Sequence, residues 1–169
     1  MAPLVRRSWS VRGQTPVLRQ RGQHYQKVSA IAALCIPPTR DRIALYFRLC
    51  PNANINSERA MDFLEHLQRQ LRMPIVLIWD SFQAHKGELI QECVLPRSAH
   101  LEYLPPYAPE LNPVEYLWAY LKTNPLANDP AVDLQCLALR ARRAAYSVQH
   151  RPDLLRAFLR HTGLSLRLK

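Results

Sequence analysis

The run Pro74-Ile75-Val76-Leu77-Ile78-Trp79-Asp80 decides how this chain is read, because a continuous apolar stretch stops abruptly at a carboxylate. A short apolar run bounded in this way is the pattern of a strand buried on both faces, and it puts Asp80 at that strand's carboxyl end. Upstream, Asn56-Ser57-Glu58 precedes Ala60, Phe63, Leu64, Leu67 and Leu71 at helical spacing, which predicts a helix from about Ser57 to Arg72 behind a capping residue. Further upstream, Lys27 to Ile36 and Arg42 to Leu49 read as adjacent strands separated by the turn-forming Pro37-Pro38-Thr39-Arg40-Asp41. Downstream, Gly87 to Leu95 reads as a short helix, His100 to Leu104 as a strand, and Pro105-Pro106-Tyr107-Ala108-Pro109 as a rigid loop. Asn112 then caps a helix whose first position suits Pro113, with Glu115 in its first turn and Val114, Leu117, Trp118 and Leu121 on its apolar face. Ala131 to Tyr146 and Asp153 to His161 are helical by spacing, rich in Arg, and expected to pack across the sheet.

A strand pair followed by helix, strand, helix, strand and helix describes an α/β fold, a mixed sheet flanked by helices. With 169 residues the chain suits one domain, read as a sheet-bearing part over residues 1–125 and a C-terminal helical extension over 126–169 packed on the same domain. The opening stretch, Arg6, Arg7, Arg12, Arg19 and Arg21 interleaved with Trp9, Val11, Val17 and Leu18, reads as a basic hairpin-like segment punctuated by Gly13 and Pro16. The three tryptophans, Trp9, Trp79 and Trp118, are expected in the core.

Composition narrows the function. The longest wholly apolar run, Ala30 to Ile36, is far short of the roughly 20 residues that span a bilayer, and the start lacks a signal peptide's apolar region, so neither a membrane nor export is expected. Cys35, Cys50, Cys93 and Cys136 are widely spaced and show neither a C-x-x-C pair nor a His at zinc-ligand spacing, which argues for reduced structural thiols. A formal net charge of +10 makes nucleic acid the leading partner, although many small basic proteins are merely soluble and charge alone leaves both readings open.

Asp80 ends a buried strand and Glu115 opens a helix after the next strand, and such ends converge where open α/β folds form their ligand crevices. Carboxylates there suit magnesium, which takes one or two protein carboxylates and leaves its other positions to water and phosphate oxygens. A pair of such ions about 4 Å apart serves phosphodiester chemistry. Each residue alone has a plainer role as well, since aspartates often cap helices and the helix dipole favours Glu in a first turn.

Two blocks carry a family resemblance. Val76-Leu77-Ile78-Trp79-Asp80-Ser81-Phe82-Gln83-Ala84-His85 and Tyr103-Leu104-Pro105-Pro106-Tyr107-Ala108-Pro109-Glu110-Leu111-Asn112-Pro113-Val114-Glu115-Tyr116-Leu117-Trp118 resemble the second and third catalytic motifs of DDE transposases of the mariner superfamily, nearest its bacterial insertion-sequence branch. The 35 positions from Asp80 to Glu115 are similar to that branch's spacing, and Arg6-Arg7-Ser8-Trp9 through Pro16 resembles the segment that follows the family's first aspartate. The resemblance implies a ribonuclease-H-like fold and cleavage and strand transfer at transposon ends, with Mg2+ or Mn2+ as cofactor and Asp80 and Glu115 as its ligands. It implies His85 as a supporting residue, although a structural role for it is equally open. The implied DNA contacts are Arg6, Arg7, Arg12, Arg19, Arg21, Lys86 and Lys122. Implied partners are transposon-end and target DNA and a second copy in a homodimer, without small-molecule cofactor, in the nucleoid-associated bacterial cytoplasm.

The sequence departs from the family in one respect. The family's first aspartate lies on a central strand just upstream of the Arg-Arg-x-Trp segment, where this sequence has only Met1 to Val5, and no acidic residue occurs before Asp41. Asp41 falls in a turn, and Glu58 and Asp62 on the first helix, so none substitutes for it. The expectation is an N-terminally truncated domain lacking its central strand, with a gap in the sheet, unpaired strand edges and no activity by itself.

Overall fold

The computed structural model describes residues 6–7, 9–17, 27–80, 99–128 and 131–164. Strands β1 (Val28–Cys35) and β2 (Ala44–Pro51) form an antiparallel hairpin in register from Val28 opposite Pro51 to Cys35 opposite Ala44. Its connection turns at Arg40, which sits at φ 56° and donates its N–H to the Pro37 carbonyl at 2.9 Å. The Thr39 hydroxyl donates to the Asp41 carboxylate at 2.8 Å and holds that carboxyl below the usual range, while Arg156 ties the Asp41 carbonyl at 2.9 Å.

Helix α1 (Ser57–Leu71) starts where the Asn56 side chain accepts from the Arg59 N–H at 3.1 Å, and ends where Arg72 turns left-handed at φ 53°. Its buried stripe is Ala60, Met61, Phe63, Leu64 and Leu67. Strands β3 (Ile75–Trp79) and β4 (Ala99–Tyr103) pair in parallel, Ile75 opposite Ala99 and Trp79 opposite Tyr103. A 3₁₀ turn at Pro109–Leu111 leads into α2 (Pro113–Thr123), followed by α3 (Leu134–Gln149) and α4 (Pro152–His161). Helix α3 begins later than the spacing predicts because Asp133 caps it, accepting from the Cys136 N–H at 2.6 Å.

The expected α/β architecture is present as two two-stranded sheets flanked by helices, one antiparallel and one parallel, with no strand joining them among the described residues. Two buried clusters result. The larger gathers Ile43 and Leu45 of the hairpin with Leu117 and Leu121 of α2, Ala145 and Val148 of α3, and Leu155, Phe158 and Leu159 of α4. The smaller joins Ala60, Met61 and Leu64 of α1 to Trp79, with Ile31, Leu77, Ala99 and Leu101 packed around it. Strand β1 therefore belongs to both, Ile31 facing α1 while Ala32 and Leu34 pack against the helical cluster.

Three expectations need correction. β3 is covered on one face only: Trp79 is buried, but Val76 and Ile78 are 65% and 57% exposed, because among the described residues α1 and Ile31 of β1 pack on the Trp79 and Leu77 side of this pair. Trp9 is fully exposed, so only Trp79 and the half-buried Trp118 are core residues. Residues 9–17 form no strand; they make a turn with Gly13 at φ 83° and the Gln14 N–H donating to the Val11 carbonyl at 2.9 Å. The short helix expected at Gly87 to Leu95 lies outside the described residues.

Candidate active site at the carboxyl edge of the parallel strands

Asp80 follows directly on Trp79 and is half-buried. Parallel strands end on the same side of their sheet, so the chain leaves β4 at the edge where Asp80 stands. The Leu104 N–H donates to the Trp79 carbonyl at 2.8 Å and extends the ladder one step beyond β4. Buried Leu104 then anchors the loop Pro105 to Ala108, where Tyr107 adopts φ 58° with its ring fully exposed. Two reverse bonds, Leu111 N–H to the Ala108 carbonyl at 3.1 Å and Asn112 N–H to the Pro109 carbonyl at 3.0 Å, tighten the path back into α2.

The start of α2 follows from local chemistry. The Asn112 side chain accepts from the Val114 N–H at 3.0 Å, Pro113 occupies the first turn where no N–H is needed, and Leu117 and Leu121 seat the helix in the larger cluster. Glu115 consequently projects from the first turn and is exposed. The β4-to-α2 connection thus starts at the sheet edge where Asp80 stands and runs to the helix start that carries Glu115.

The upstream acidic residues lie elsewhere. Asp41 is in the hairpin turn, Glu58 accepts from Asn56 at 3.5 Å, Asp62 faces Arg48 at 3.9 Å, and Glu65 faces Arg69 at 3.9 Å. Among the described residues no three His, Cys, Asp or Glu side chains gather as a metal cage. Asp80 and Glu115 are oxygen donors of the kind a hard divalent cation takes, its other positions going to water and phosphate oxygens.

Of the expected DNA contacts, Arg7, Arg12 and Lys122 are exposed, while Arg19, Arg21, Lys86 and the supporting His85 lie outside the described residues. Arg6 is also at the surface, but its backbone is clasped by Asn128, whose side chain accepts from the Arg6 N–H at 2.7 Å and donates to the Arg6 carbonyl at 2.8 Å. Its guanidinium donates to the Thr123 carbonyl at 2.8 Å, a favourable place for a cation at a helix C-terminus. The clasp brings Arg6 to the C-terminal end of α2, where Lys122 stands about 10 Å along the helix from Glu115 at 1.5 Å per residue. Asn128 was not singled out by sequence reasoning; an Asn that takes φ 54° is its one local signal.

No helix among the described residues is long and apolar enough to cross a membrane. Comparison with curated proteins finds no match. Among solved structures, the chain is similar to the Mos1 strand transfer complex at 16% identity and TM-score 0.53, over 98% of this chain and 52% of that one. It is similar to the Mos1 mariner paired end complex with Mn at 14% identity and TM-score 0.54, covering 99% and 53%. For the Mos1 transposase paired-end complex with left transposon end the values are 15%, 0.55, and 98% and 52%. At these identities the likeness concerns the fold, and the chain spans about half the length of those proteins. A family model described as DDE superfamily endonuclease matches residues 2–137, which include the β3 exit and the capped start of α2; the chain belongs to that family.

Proposed function

We propose that this chain is the catalytic-domain portion of a transposase that cleaves transposon-end DNA and transfers strands, with Asp80 and Glu115 as metal ligands. The observation that supports this reading is that Asp80 follows β3 at the edge where β4 also ends, and that the connection from there leads to the capped helix start carrying Glu115, within a DDE endonuclease chain. Asp80 and Glu115 offer hard oxygen donors to Mg2+ or Mn2+, and Asn112 and Pro113 aim Glu115 by fixing the helix start. A divalent metal bound there supplies activation of the attacking water or 3′-hydroxyl and stabilisation of the leaving oxygen. Arg7, Arg12 and Lys122, joined by Arg6, Arg19, Arg21 and Lys86, hold the phosphate backbone, and His85 supports the carboxylates. Residues 126–169 form a helical extension of the same domain, consistent with α3 and α4 sharing one buried cluster with α2.

On this reading a third carboxylate completes the site, and among the described residues no group of three His, Cys, Asp or Glu side chains supplies it. An aspartate-bearing strand fitting between β1 and β3, where the two sheets are not joined, restores the site. The resemblance to bacterial insertion-sequence proteins further suggests homodimeric assembly and a nucleoid-associated cytoplasmic location. The alternative, a non-catalytic remnant that binds DNA through its arginines, is favoured by the upstream acidic residues all lying elsewhere.

Magnesium-dependent nicking of supercoiled DNA separates the two, comparing this chain with one extended upstream by an aspartate-bearing strand. Nicking by the extended chain alone, lost in Asp80→Ala and in Glu115→Ala, supports the transposase reading. Activity that persists in both variants overturns the roles given to these residues. An extended chain that binds DNA with a steep salt dependence but never cleaves establishes the remnant.

A further inference from the structure

We propose that the outer edge of β2, in the groove between α1 and α3, docks an acidic segment of another protein in extended form, as an added strand. The hairpin's hydrogen-bond phase defines that edge. The Asn52 N–H donates to the carbonyl of Lys27, directly opposite, at 2.7 Å, and hydrogen-bonded pairs alternate along an antiparallel ladder. Arg48 and Tyr46 therefore bond β1, while the backbone groups of Leu45, Phe47 and Leu49 point away from it.

An independent contact agrees with this phase: the Gln149 side chain of α3 donates to the Leu45 carbonyl at 2.7 Å. At the other end Pro51 has no N–H to offer. Between them, among the described residues, no side chain bonds the outward N–H and C=O of Phe47 and Leu49. They face a groove of about 510 Å³ whose walls include Phe63 and Leu67 of α1 and Arg142 and Tyr146 of α3.

Chemistry selects the occupant. The edge presents alternating donors and acceptors, which another polypeptide backbone matches and a phosphate chain does not, since the carbonyls repel it. From Leu45 to Leu49 the edge runs about 13 Å, room for four or five extended residues. The lining carries Arg48 and Arg142 and no carboxylate. Adjacent Asp62 is engaged with Arg48 at 3.9 Å, and Glu65 with Arg69 at 3.9 Å. Because successive side chains of an added strand point to opposite faces, an occupant alternating acidic and apolar residues sets its acids on the α3 side with Arg142 and its apolar side chains on the α1 side with Phe63 and Leu67.

The test uses the full chain and a fluorescein-labelled Gly-Glu-Val-Glu-Val-Glu-Val-Gly peptide, read by fluorescence anisotropy and by amide NMR. Micromolar binding is expected, with the Phe47 and Leu49 amide resonances shifting and the affinity falling at least tenfold in Arg142→Glu. Leu49→Pro, which removes an outward N–H and leaves the ladder to β1 intact, is expected to weaken binding similarly. Arg142 is exposed, so its variant keeps the result readable should Leu49→Pro fail to fold. Equal affinity in Arg142→Glu overturns the proposal, as does equal binding of a Gly-Lys-Val-Lys-Val-Lys-Val-Gly peptide. A 20-base-pair duplex that shifts the Phe47 and Leu49 amides while the acidic peptide does not, or a dimer of this chain formed through the edge that excludes the peptide, overturns it as well.

Discussion

The Leu104 N–H reaches the Trp79 carbonyl at 2.8 Å and locks the exit of β4 to the exit of β3. Asp80 and the loop toward Glu115 therefore leave the sheet from neighbouring points. What aims Glu115 is local to its helix start, and the first prediction concerns that start.

Replacing Asn112 with Ala leaves the Val114 N–H without its cap and is expected to lower stability by about 1 kcal/mol. Asn112→Asp keeps an acceptor and should retain most of it. A urea titration checks this: the midpoint falls in the Ala variant with an unchanged slope.

Tyr107 adopts a left-handed backbone at φ 58° although its ring touches nothing that buries it. Tyr107→Gly relieves strain of roughly 1 kcal/mol and adds unfolded-state freedom that offsets part of it, for a net gain below about 1 kcal/mol. Tyr107→Val, β-branched in the same conformation, loses stability instead. Thermal melts of the three proteins order them Gly, Tyr, Val.

Asn128 makes two hydrogen bonds to the Arg6 backbone, so Asn128→Ala releases the basic N-terminal segment from the end of α2. Trypsin should cut at Arg6, Arg7 and Arg12 several-fold faster in the variant, while cleavage within α3 stays at its wild-type rate.

Burial pushes the Cys35 thiol from its ordinary 9.0 up to about 11. The unfolded chain ionises first, so stability is complete below pH 9, falls by about 1.4 kcal/mol per unit above it, and levels off past pH 11. Subtracting the pH profile of Cys35→Ala isolates this decline. The same shift slows alkylation of Cys35 at pH 8 by roughly 100-fold against an ordinary thiol, because the thiolate is the nucleophile.

The places of Asp80 at a strand end, Asn112 at a helix cap and Glu115 in the first turn were legible in the sequence because each is marked locally, by the end of an apolar run or by a cap followed by Pro. The exposure of Val76 and Ile78 was not, since a run of apolar residues says that a strand is there and not what covers it. Trp9 misled for the same reason. The clasp between Arg6 and Asn128 joins residues 122 positions apart, and no periodicity signals such a pairing.

The division of the core into two clusters has a dynamic consequence. Asp80 is attached through Trp79 to the cluster of four buried residues under α1, whereas Glu115 rides on α2 in the cluster of nine. Smaller apolar units open at lower free energy, so native-state hydrogen exchange should find β3, β4 and α1 exchanging as one unit before the helical one. On that expectation Asp80 and Glu115 ride on units that open separately, and β1, which packs into both clusters, is the element that couples them.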